Sequence, residues 1–183
     1  MSPNRFCAAV LLAIAIVLPS YPAEAAQRPK KGEPAAPAPT PGDKRDRTVG
    51  APGSPFNGRA FWQAAAQCGG IYFKLNSAYS EAAISAKVIR PDPAAYTRLS
   101  KDADGAAARA TAFFDVSERF LVADRKLARD EAVMTYDPVA SSAGDRLKSI
   151  EAALQAAKPC PELYQACRSA YPQICSDAAA LTN

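Results

Sequence analysis

Apolar and small residues recur every three or four positions from Arg59 to Arg90. Phe61, Ala65, Cys68, Tyr72, Leu75, Tyr79, Ala82, Ala86 and Ile89 keep one helical face without a miss. No period-two alternation interrupts them, so no strand is expected. Pro91 ends the pattern, and Asp92-Pro93 supplies a capping carboxylate and a proline at a first helical position. A second pattern runs from Pro93 to about Met134 through Leu99, Ala103, Ala106, Ala110, Phe113, Phe120 and Leu127. Asp137-Pro138 repeats the stop-and-start signature. A third helix then reaches Ala157 with Leu147, Ile150, Leu154 and Ala157 inward, and Lys158-Pro159 closes it. Pro161 to Ala170 reads as a short fourth helix, and Pro172 sets off a last turn around Cys175.

Short connections make consecutive helices antiparallel neighbours. Folding the first two about residues 91–92 sets Gly69 and Gly70 level with Phe113 and Phe114, and Tyr79 level with Ala103 to Gly105. Large side chains then face small ones along the seam, as close packing requires. Each mid-helix glycine costs roughly 1 kcal/mol relative to alanine. Room for a ring is a physical reason to keep two, and a kink there is the alternative. The predicted fold is all-α: an antiparallel bundle of three long helices plus a short C-terminal helical segment, over residues 59–183.

Cysteine placement adds staples to this bundle. Folding the third helix about residue 136 sets Cys160 level with residue 112, and so within a turn of Cys68. Cys160–Cys167 is disfavoured, because seven residues along a helix span roughly 10.5 Å. Cys167 and Cys175 flank the Tyr171-Pro172 turn. The expected pairs are Cys68–Cys160 and Cys167–Cys175, with Cys68–Cys167 and Cys160–Cys175 as the runner-up.

The N-terminal region departs from helical patterning. Arg5 precedes an unbroken apolar run from Phe6 to Leu18, Pro19 breaks it, and Ala23-Glu24-Ala25 places small residues where a signal peptidase reads. Residues 1–25 are therefore expected to be a secretory signal, cut after Ala25 or Ala26. The run is shorter than the roughly 20 residues that span a bilayer, so no stable membrane anchor is expected after cleavage. Cys7 leaves with the signal, and four cysteines remain for an oxidising compartment, periplasmic or extracellular. Residues 26–58 hold seven prolines and five glycines. Such a stretch buries too little apolar surface to offset its ordering entropy, so a disordered linker is expected. It carries six basic against three acidic residues, whereas residues 59–183 carry 15 against 14. The chain's net charge of +4 belongs mainly to the tail. Its basic clusters, such as Lys44-Arg45-Asp46-Arg47, are short and broken by acid, which favours a solubilising spacer over a membrane- or wall-binding tail. Nucleic acid is not an expected partner, since basic and aromatic residues do not interleave.

The chain contains no histidine. That excludes a Ser-His-Asp triad, a Cys-His pair and His-ligated metals, and removes the usual general base near neutral pH. Phosphate-binding and dinucleotide-binding glycine loops, a nucleophile elbow and Cys-x-x-Cys are absent too. No cofactor or metal is expected. The most charged tract runs from Asp115 to Glu131. Asp115, Arg119, Lys126 and Asp130 fall on one helical stripe as opposite-charge pairs, and Glu118, Asp124 and Glu131 could complete a carboxylate constellation. A solvated ion-paired face explains the same spacing, and no second acidic helix matches it. The aromatic group Phe61, Trp62, Tyr72, Phe73, Tyr79, Phe113, Phe114 and Phe120 fits a core better than a pocket. The expected function is an exported, non-catalytic binding module for an envelope protein or cell-wall component. A thiol–disulfide redox protein using Cys167 and Cys175 is the alternative, and a carboxylate enzyme or metal binder the third.

Overall fold

The structure, a computed structural model, describes residues 46–175. The expected signal segment and residues 26–45 of the expected linker lie outside them. Among the described residues six helices follow in order: α1 (Phe61–Val88), α2 (Pro93–Arg125), α3 (Arg129–Asp145), α4 (Ile150–Ala157), α5 (Cys160–Ala170) and α6 (Pro172–Cys175). Among the described residues the only extended pairing is a single antiparallel bridge, Thr48 to Ala60. The chain is all-α and its helices pack together.

The α1–α2 hairpin forms where the sequence expects it. Asp92 stands at the N-cap and its carboxylate accepts from the Ala95 amide at 2.9 Å, with Pro93 in the first turn. Two side chains fix the register of the pair. Ser117 Oγ donates to the Trp62 carbonyl at 2.8 Å, and Asn76 Nδ2 donates to the Ala103 carbonyl at 3.0 Å. Residues 62 and 76 of one helix are spaced as 103 and 117 of the other, so both bonds mark one antiparallel register. Between them Tyr72 stacks on Phe113 with centroids 5.8 Å apart. At the base Phe61 stacks on Phe120 at 5.1 Å, and Tyr171 meets both rings edge-on. Phe61, Trp62, Phe113 and Phe120 are buried, which places them in the core as expected.

The opposite end of the hairpin is bare. Ile84, Val88 and Ile89 are 61%, 69% and 72% exposed. Ile89 was expected inward on periodicity alone, as was Leu154, which is 44% exposed. Phe73, counted with the aromatic core, is 59% exposed. A helical period identifies a face, but only a third element can cover it. Here α3 lies against α1 at Gly70 and Lys74, and Ile84, Val88 and Ile89 beyond them stay exposed.

The second helix stops earlier than its apolar pattern suggests. Lys126 takes a left-handed conformation (φ 60°), and its amide still closes on the Val122 carbonyl at 3.2 Å. The next helix then starts at Arg129, where Glu131 accepts from the Ala128 amide at 3.0 Å. Asp137-Pro138, expected to break the chain, lies inside α3. The expected turn at 136 is therefore replaced by one at 126–128, and the expected third helix divides into α3 and α4. Ser149 caps α4 by accepting from the Ala152 amide at 3.1 Å.

This change of turn also redistributes the glycine contacts. A Cβ on Gly69 would overlap the Phe114 ring, so that half of the expected seam holds. A Cβ on Gly70 would instead overlap the Ala140 backbone of α3, coming within 2.9 Å of its Cα. Gly144 lies against the Gly70 carbonyl, where a Cβ would come within 3.1 Å. Gly70 thus admits a whole helix backbone rather than a ring of α2. The chain returns along α4 to Cys160, which pairs with Cys68, with Cα atoms 5.8 Å apart. Cys167 pairs with Cys175 at a Cα separation of 6.0 Å. These are the two pairings the sequence favoured, reached by a different fold-back from the one supposed.

Residues 46–60, expected to be disordered linker as far as 58, form a strap over the base of the bundle. Val49 and Phe56 are buried, and the Val49 amide donates to the Arg59 carbonyl at 2.8 Å. Asp46 accepts from Trp62 Nε1 at 3.0 Å and from Arg125 Nε and Nη2 at 2.8 and 2.6 Å. Asp124 accepts from the Arg47 amide at 3.0 Å and pairs with its Nε at 3.2 Å. Two Asp-Arg dipeptides, Asp46-Arg47 and Asp124-Arg125, therefore pair reciprocally. The Arg47 guanidinium also lies 5.1 Å from the Tyr171 ring centre. Composition missed this because two apolar anchors and one buried ion pair are enough to order a short Pro-Gly segment.

Candidate functional site

Grooves cross the described surface beside α1, and glycine separates two of them by origin. The groove between α1 and α3, about 360 Å³, is bordered by Gly70 and Gly144, whose missing side chains are explained by the helix crossing. A third, of about 690 Å³, follows α1 past Pro138 and Arg146. The second, of about 470 Å³, lies between α1, α2 and the α4–α5 junction. Gly105 is on its wall, and a Cβ there would meet nothing within 4 Å.

This second cleft combines apolar depth with positive edges. Leu75, Ala106 and Ala157 are buried at its floor, and Tyr79 is half-buried on its α1 side. Lys101 and Arg109 of α2 and Lys158 beyond α4 line it, with Asp102 as the opposing carboxylate. The Arg109 guanidinium lies 5.8 Å from the Tyr72 ring centre. Burial raises the Tyr72 hydroxyl above its ordinary pKa of 10.0, and the Arg109 charge pulls it partly back. Tyr72 is therefore a neutral hydrogen-bonding group at physiological pH. The sequence reading set Tyr79 level with Ala103 to Gly105, but treated the tyrosines as core. Gly105 itself was the signal available, but the fold-back gave it Tyr79 as a bulky partner, and the structure leaves that space open.

The charged tract from Asp115 to Glu131 does not converge. The chain turns at Lys126, so Lys126 and Asp130 leave the stripe shared by Asp115 and Arg119. Asp124 is held by Arg47, Glu118 pairs with Arg129 at 3.0 Å, and Glu131 caps α3. Arg119 Nη1 donates to the Ile174 carbonyl at 3.2 Å, tying α2 to α6. Among the described residues no group of three or more His, Cys, Asp or Glu side chains could hold a metal ion. Tyr136 stacks on Phe114 with centroids 5.5 Å apart. Its hydroxyl is raised by burial and then by Glu118, Asp137 and Asp115.

The cysteines lie inside the fold. Cys68 and Cys160 are fully buried, and Cys167 and Cys175 are each 1% exposed. Tyr164 donates to the Cys175 carbonyl at 2.7 Å across the second bridge. Gly69, Gly70, Phe113 and Phe114 are packing residues of the α1–α2–α3 crossing and not part of the cleft. No helix among the described residues is long and apolar enough to cross a membrane. No family model matches the chain, and no curated protein or solved structure matches it.

Proposed function

We propose that the chain is an exported, non-catalytic binding module of the periplasm or cell exterior. The observation that carries this reading is the cleft between α1, α2 and the α4–α5 junction. Its floor is apolar, its edges are cationic, and its walls come from helices tied together by Cys68–Cys160. A preformed concavity with a few placed polar groups is the usual form of a small-ligand site. Two disulfides suit an oxidising compartment, where such bonds persist. The role of residues 1–25 as a cleaved signal, and of the basic linker as a spacer toward an envelope or cell-wall partner, belongs to the same proposal.

The redox alternative requires a sulfur that an incoming thiolate can reach. The burial of Cys167 and Cys175 weighs against it. The carboxylate alternative requires acids gathered at one place, and Glu118, Asp124 and Glu131 instead hold the fold together.

Expression of the full chain in a Gram-negative host, followed by fractionation, intact mass and thiol alkylation, tests the export reading. The expected result is a periplasmic product cut near Ala25 with no alkylatable thiol. A cytoplasmic product with free thiols overturns it. A hydrolase or transferase activity that co-purifies with the protein and is lost with a point substitution in it overturns the non-catalytic part.

A further inference from the structure

Gly105 stands in the thirteenth position of a 33-residue helix, where glycine is unfavourable by roughly 1 kcal/mol relative to alanine. Gly69, Gly70 and Gly144 each sit against a ring or a backbone that leaves little or no room for a Cβ. Gly105 has no such neighbour: the space a side chain would fill is open, and it belongs to the cleft. Where function needs an opening, a residue that costs stability is retained, since a larger one would fill the space. Around that opening stand two exposed lysines, Lys101 and Lys158, and one carboxylate, Asp102.

We propose that this cleft binds a small organic anion with a flat apolar body, of the arenecarboxylate class. The body lies over Tyr79 in the space left by Gly105, and the carboxylate meets Lys101 and Lys158. The proposal rests on the binding-module reading and gives that module a ligand class. Each half of the ligand answers to a separate feature. The apolar floor favours a ring, which loses water-exposed surface on entry. The excess of positive charge favours an anion, with a salt-dependent contribution because the cleft is open to solvent. A neutral aromatic lacks the second attraction and a bare carboxylate lacks the first.

The test uses 2-naphthoate, 2-naphthylmethanol and acetate as probes of the oxidised protein, followed by amide chemical shifts and calorimetry. The expected result is saturable naphthoate binding, with shifts centred on Tyr79 and Gly105, weakened at least tenfold for either partial analogue. Gly105→Phe fills the opening from within a helix that tolerates it and should lower naphthoate affinity at least tenfold while melting no earlier than the parent. The pair Lys101→Glu and Lys158→Glu, both at exposed positions, should do the same to affinity. Should Gly105→Phe lose helical circular dichroism, the charge-reversed protein decides alone. No saturable naphthoate binding, equal binding of either analogue, or parental affinity in a folded variant overturns the proposal. Export and full oxidation would then still stand, since they are measured without any ligand.

Discussion

Asp46 and Gly105 show how far single residues depart from what their neighbours in sequence suggest. Asp46 follows Lys44-Arg45 in a stretch that reads as solvated, yet its carboxylate is 2% exposed and accepts from Trp62 and Arg125. Removing one partner of a buried pair leaves the other charge uncompensated, at a cost of about 3–5 kcal/mol. Asp46→Ala should therefore lower stability by about 3 kcal/mol in urea denaturation. Because Trp62 is the only tryptophan in the chain, the same substitution should shift its fluorescence to the red. Arg47→Ala removes a side chain 37% exposed but leaves the buried Asp124 only the residue-47 amide as its donor here, and should cost about 1–3 kcal/mol. A second contrast is between glycines. Gly70→Ala forces a methyl into the Ala140 backbone and should destabilise by about 2 kcal/mol or more. Gly105→Ala meets open space and should stabilise by about 1 kcal/mol. Matched thermal melts of the two variants check both signs. Tyr72 and Tyr136 add an alkaline limb. Their folded-state pKa values lie above the ordinary 10.0, so their contribution is complete below pH 10 and is lost as pH rises through the folded values. Tyr72→Phe should flatten the fall in melting temperature above pH 10.

At the scale of elements, the clearest lesson is the turn at residues 126–128. The apolar repeat continues through Leu127, so nothing in periodicity marks an end there. The end is made by backbone geometry, with Lys126 left-handed and Glu131 capping the next helix. A left-handed non-glycine residue costs roughly 1–2 kcal/mol. Lys126→Gly should relieve part of that and raise stability by about 0.5–1 kcal/mol, measured by urea denaturation. Asp137-Pro138 misleads in the opposite direction. A proline inside a helix forfeits one backbone bond, yet α3 continues through it. The turn between α1 and α2, by contrast, was legible, since Pro91 and Pro93 stand two residues apart around the capping Asp92. The strap was not legible, because Val49 and Phe56 are too few and too irregularly spaced to give a period.

For the whole molecule, the two disulfides do different work. Cys68–Cys160 closes a separation of 92 residues and joins α1 to α5 behind the cleft. Cys167–Cys175 closes 8 and fixes only the C-terminal turn. In the chain-entropy model the longer loop contributes about 4–5 kcal/mol and the shorter about 2–3 kcal/mol. Replacing Cys68 and Cys160 by alanine should therefore lower the urea midpoint more than replacing Cys167 and Cys175. If the C-terminal pair matters more, the long loop is already constrained without its bridge. The naphthoate affinity should follow the same order, since the first bridge holds the α4–α5 wall of the cleft.

The sequence by itself determined the fold class and the turn of the first hairpin, and it favoured the cysteine pairs that form, through a fold-back that the structure replaces. These follow from local periodicity, from prolines that close off alternatives, and from distances along a helix. Only the tertiary structure decided which faces are covered, that Gly70 receives α3, that Asp46-Arg47 clasps Asp124-Arg125, and that Gly105 faces an opening. Those facts concern pairs of residues far apart in the chain. A helical period states which side of a rod is apolar, but whether another rod lies on it depends on turns whose energies differ by about 1 kcal/mol and leave no mark on the pattern.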